Sequence, residues 1–165
     1  MIEQHYLDES VQQLRRLKAQ AEEAIAQVDD EQFFALLDPD ANSIAVIMKH
    51  VAGNMRSRWT DFLTTDGEKG DRDRDSEFEC GSGDTRESIR ARWEDGWSCA
   101  LGSIESLRPE DLESTVTVRG EPHTVVEAIN RQVSHYSAHV GQIVLLAKHF
   151  AGGSWRTLSM PKAKR

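Results

Sequence analysis

The sequence has 165 residues, 28 acidic and 20 basic, for a formal net charge of −8. That length suits a single domain over residues 1–165, burying roughly two-thirds of its unfolded surface in one core. The acidic balance argues against nucleic acid or an anionic membrane as a main partner, and the basic end Lys162-Ala163-Lys164-Arg165 is too short to reverse it.

From about Glu3 to Val28, the residues Leu7, Val11, Leu14, Leu17, Ala21, Ile25 and Val28 recur in steps of three and four, which predicts an amphipathic helix. The link from Asp29 to Ala41 carries Phe33, Phe34, Leu36 and Leu37 before Asp38-Pro39-Asp40, and reads as a short helical turn stopped by proline. A second long helix follows, capped by Asn42 or Ser43, with Ile44, Ile47, Val51, Met55 and Phe62 on a seam reaching about Leu63. Beside that seam run His50, Asn54, Arg58 and Asp61, where side chains either line a pocket or meet solvent.

Thr64 to Gly83 is rich in charge and glycine, and a connection this long is usually functional or a crossover. Asp71-Arg72-Asp73-Arg74-Asp75 does not make a calcium loop. Ser76 and Ser82 stand where that loop needs glycine and a bidentate glutamate, and the arginines would repel a cation. The stretch is expected to be a solvated crossover.

A third helix opens at Asp84, with Glu87 completing a capping pattern, and runs through Ile89, Trp93, Trp97, Ala100, Ile104 and Leu107 to Arg108-Pro109. Thr115 to Val118 and Glu121 to His123, joined by Arg119-Gly120, then predict a small hairpin connector, with Pro122 confining its strand to an edge. The fourth helix starts at the capping box Thr124-Val125-Val126-Glu127 and continues through Ile129, Val133, Tyr136, Val140, Ile143 and Ala147 to Phe150, ended by Gly152-Gly153. Trp155 and Leu158 are expected to fold back over the helices. The pattern is all-α: a four-helix bundle with one β-hairpin between helices three and four.

No apolar run approaches the ~18 residues that span a bilayer. Cys80 and Cys99 form no CxxC and follow no secretory signal, so a reducing cytoplasm is the expected location.

The fourth helix carries His135 and His139, four apart, which places their Cβ atoms about 5–6 Å from each other on one face. His149 falls about 15 Å further along the helix, His5 sits near a terminus, and His123 lies in the hairpin. His50 is the remaining histidine on a long helix, beside an apolar seam as the pair is. Three neutral imidazoles at roughly 2.0–2.1 Å leave a divalent ion at least one open position, as in a catalytic site. The competing reading of such a pair is two core or surface histidines with no ion between them.

This layout resembles the DinB/YfiT-like superfamily of four-helix metalloproteins, in which one histidine from the second helix and a HxxxH pair from the fourth bind a divalent metal. The matching positions are His50, His135 and His139. The stretches GNMRSRWTDFLTTDGEK, DRDRDSEFE and WRTLSMP further resemble one bacterial subgroup of it. The resemblance implies an up-down-down-up bundle, often a homodimer, with the crossover between helices two and three and with nickel or zinc as the metal. In some branches it implies transfer of a low-molecular-weight thiol, such as bacillithiol or mycothiol, to an electrophile.

On that reading Asn54 and Gln142 orient the imidazoles or a bound water, and Arg58 receives a carboxylate of the thiol. The competing expectations are a non-catalytic, dimeric metal-binding or stress-response protein, and a metal-dependent hydrolase. Imidazole suits nickel, zinc, iron and copper alike, so the donor set does not name the metal.

Overall fold

The structure is a computed structural model that describes residues 1–160; the basic end at 162–165 and the final proline of WRTLSMP lie outside the described residues. Five α-helices and one two-stranded antiparallel sheet make up its regular elements. In chain order they are α1 (Ile2–Ile25), α2 (Asp30–Phe34), α3 (Ile44–Trp59), α4 (Arg86–Glu105), β1 (Thr115–Val118), β2 (Glu121–Thr124) and α5 (Val125–Ala151). The expected helices one to four are therefore α1, α3, α4 and α5, with the proline-stopped link supplying the five-residue α2. Among the described residues, no helix is long and apolar enough to cross a membrane.

The long helices form because each carries an apolar seam that only a neighbour can cover. α3 packs mainly along α4, and α1 along α5. Their seams merge into one core around Trp59, Trp93, Trp97 and Tyr136, each almost wholly buried. Two of these three indole N–H groups find partners there, and that of Trp97 has none among the described residues. Trp93 donates to Glu22 Oε1 at 3.2 Å and Trp59 to the Tyr136 hydroxyl at 3.0 Å. α3 and α4 touch closely at Gly96, where a Cβ would stand 3.1 Å from both the Cα and the carbonyl oxygen of Ala52. The tail folds back as expected. Trp155 and Leu158 pack against the core, and the Arg156 N–H donates to Gln27 Oε1 at 2.7 Å.

Several boundaries move, each for a local reason. α1 ends at Ile25 rather than Val28, and α3 ends at Trp59 rather than Leu63. At the latter, Thr60 turns extended while its hydroxyl donates to the Arg56 carbonyl, and Asp61 takes a left-handed φ of 48°. α4 is capped by Thr85 and Ser88 rather than by Asp84 and Glu87. Asp84 instead accepts from Lys49 Nζ at 2.8 Å, joining the start of α4 to α3.

The hairpin pairs Thr115 with Thr124 and Val118 with Glu121. Its two-residue turn has positive φ at both Arg119 (55°) and Gly120 (78°), the primed turn that matches strand twist. It is more than a connector. The Gly67 N–H donates to the Thr117 carbonyl at 2.8 Å, and the Asp66 carboxylate accepts the N–H groups of both Arg119 and Gly120 at 2.8 Å. The crossover is thereby fastened to the hairpin. It also differs from the solvated stretch expected, since Asp75–Phe78 forms a 3₁₀ turn against α3 with Glu77 buried.

Candidate metal centre

α3 and α5 bring His50, His135 and His139 together: each offers one ring nitrogen, and the three nitrogens lie within 4.8 Å of one another. His50 sits on the buried side of α3, while the pair rides the shoulder of α5 and is half-buried. The His135 and His139 Nε2 atoms are 3.0 Å apart. Two nitrogens bound at about 2.0–2.1 Å to one tetrahedral ion lie roughly 3.3 Å apart, so the pair is already spaced for a shared ion.

The far side of each ring decides which nitrogen is free. His50 Nδ1 lies 2.9 Å from Glu77 Oε2, a carboxylate that can only accept, so the tautomer with its proton on Nδ1 satisfies that bond and leaves Nε2 free to bind an ion. His139 Nδ1 is 2.8 Å from Gln142 Oε1, which gives the same tautomer. Facing lone pairs at such range repel unless a proton or a cation lies between them. This donor set fits a divalent ion.

Glu77 was not apparent from the sequence. It reaches over α3 at Gly53, where a Cβ would meet its Oε1 at 2.2 Å, so only glycine leaves room for it. Arg72 grips it from the other side, with Nε and Nη2 each 2.8 Å from one carboxylate oxygen. Burial alone would push the Glu77 carboxyl up, but the hydrogen bonds from His50 and Arg72 outweigh it and hold the group below its ordinary range. Phe78, the next residue, stacks on His50 with ring centroids 4.7 Å apart. Nothing in the periodicity of the crossover marks Glu77 or Phe78, because their role comes from a turn folding back onto α3.

Burial and the neighbouring His139 and His50 push His135 down to about 4. His139 is lowered as well, chiefly by burial and against the raising effect of Gln142. Both rings are thus neutral near pH 7, the form that donates to a metal.

The other expected residues are placed differently from one another. Gln142 Oε1 lies 2.8 Å from His139 Nδ1. Asn54 is buried near the histidines, yet its partner is the Tyr136 hydroxyl, which donates to Asn54 Oδ1 at 3.1 Å, rather than an imidazole. Arg58 is 5% exposed, and its Nε and Nη1 have no hydrogen-bond partner. Asp61 is exposed in the turn after α3. His5 and His149 are also exposed and lie outside the cluster, as does His123.

His50, Asn54, Arg58 and His135 share the wall of a cavity of about 210 Å³, together with Gln132 and four further arginines. Gln132, three residues before His135 on the same helix face, is the one missed wall residue that the spacing itself pointed to.

A family model described as "Protein of unknown function (DUF1572)" matches residues 1–164. No curated protein matches the chain.

Proposed function

Taking as premise that the chain belongs to the DUF1572 family, we propose that it is a divalent-metal protein of DinB-like four-helix-bundle architecture that transfers a low-molecular-weight thiol to an electrophile. The observation that carries this reading is a three-histidine cluster with two of its members, His50 and His135, in the wall of a polar cavity. A structural site would enclose its ion; a cavity beside three ligands suits one that keeps a position open. A divalent ion held by His50, His135 and His139, with nickel or zinc the expected choice, would lower the pKa of a thiol beside it.

The chain's own residues prepare that position. Glu77 fixes the His50 tautomer, and Gln142 fixes that of His139. Phe78 and the buried Tyr136 flank the rings and limit water around them. Asn54, with its oxygen satisfied by Tyr136, offers its amide N–H groups toward the cavity. In the transfer, the sulfur of the thiol forms a C–S bond to the electrophile, the leaving group departs with the bonding pair, and the thiol proton is released to solvent.

The test incubates metal-loaded protein with a panel of cellular thiols and a chloronitroaromatic electrophile, and follows chloride release and thioether formation. Turnover that disappears in His139→Ala is the expected result. No turnover with any thiol, in protein shown to hold metal, would leave a non-catalytic metal-binding role in its place.

A further inference from the structure

Five arginines, Arg58, Arg72, Arg74, Arg119 and Arg131, line the cavity beside the histidines, and among the described residues no carboxylate does. In a chain of net charge −8 this concentration runs against the overall balance. Two carboxylates stand behind the wall. Glu77 takes two bonds from Arg72, while Glu68 takes one each from Arg72 and Arg119 and lies 3.6 Å from Arg58 Nη2. Among the described residues, neither Arg74 nor Arg131 has a carboxylate partner; Arg74 lies over the Phe78 ring at 5.0 Å. The wall therefore has more guanidinium charge than the protein neutralises.

A buried cation makes the same point. Arg58, 5% exposed, has its nearest carboxylate at 3.6 Å and leaves Nε and Nη1 without a partner. Burying such groups unmatched is costly, and guanidinium is the side chain best shaped to grip carboxylate or phosphate oxygens in pairs. The volume sets the size of what enters: about 210 Å³ is below the ~300 Å³ at which pockets for drug-sized ligands begin.

We propose that this cavity recognises a small polyanion, a di- or tricarboxylate or a phosphate ester, and holds it with one end beside His50 and His135. The inference rests on the proposed function for the identity of that polyanion, which becomes the anionic part of the molecule brought to the metal. Its affinity for anions stands apart from that reading. Substrate selection then belongs to the arginines, and the histidines act on whatever the arginines have admitted.

The test is calorimetric titration of the full chain, freed of metal on a chelating resin, with inorganic pyrophosphate and separately with tricarballylate. One site per chain is expected for at least one probe. The tighter probe tells whether the source is phosphate or carboxylate. Arg119→Gln and Arg131→Gln replace exposed side chains and leave the core intact. Each is expected to weaken binding by about tenfold or more, and raising salt should weaken it further. Arg58→Gln, checked for helicity, should weaken it as much. Failure of both probes to bind, or binding that the Arg119 and Arg131 substitutions leave unchanged, overturns the proposal. Elemental analysis of zinc-loaded protein reads the other claim separately. Protein that binds a probe but holds no metal loses the proposed function and keeps the anion site, and the opposite result does the reverse.

Discussion

In the proposed metal centre Glu77 would govern how His50 meets an ion, because a carboxylate on Nδ1 both fixes the ring and raises the basicity of Nε2. Removing its charge while keeping its shape should therefore act through the histidine. Glu77→Gln is expected to weaken zinc binding by about 10–100-fold with helicity unchanged, measured by competition against a chromophoric chelator. An affinity equal to that of the wild type would mean that the carboxylate serves only Arg72. At this scale the sequence was informative where geometry is local. Spacing of four on one helix set His135 beside His139, and spacing of three set Gln142 beside His139. It was silent on Glu77 and Arg119, since both arrive from turns whose direction depends on what they pack against.

Helix periodicity made the elements legible, and their ends were not. α3 stops four residues before its apolar pattern does, because the Thr60 hydroxyl and the left-handed Asp61 turn the chain away. The crossover looked solvated because its acidic and basic residues alternate without a seam, yet several of those charges pair with each other against α3. Gly53 is what lets that turn approach. A methyl group there would occupy the place of the Glu77 carboxylate, which Arg72 and His50 hold in position and cannot simply release. Gly53→Ala is expected to favour α3 as an isolated helix while displacing the 3₁₀ turn. The signature would be zinc affinity lowered at least as far as by Glu77→Gln, by about tenfold or more, in a protein whose circular dichroism is unchanged. Undiminished zinc binding would show that the turn can shift without cost to the site.

Across the whole molecule, the buried imidazoles connect stability to pH. In the metal-free protein His135 titrates near 4, against 6.5 for an unperturbed imidazole. Above pH 6.5 the ring is neutral whether the chain is folded or not, so it adds no pH dependence. As pH falls from 6.5 toward 4 the unfolded chain takes up the proton first, and stability declines across that window. Between pH 7 and pH 5 the loss from this half-buried ring, reduced by solvent screening, is on the order of 1 kcal/mol, readable as a lower urea midpoint. His135→Asn should flatten that part of the profile; a profile identical to the parent's would assign it to other groups.

The Asp66 clasp carries a further consequence, for the order in which the molecule is taken apart. Its carboxylate joins backbone groups 53 and 54 positions later in the chain, closing a loop that contains all of α4. Hydrogen bonds as exposed as these are among the first surrendered in local opening. A fluctuation that frees the hairpin would withdraw Arg119 and leave the three histidines in place, since α3 and α5 stay joined through the core. Recognition would then lapse before metal binding does, and the protein would pass through a form that holds its ion without discriminating among ligands.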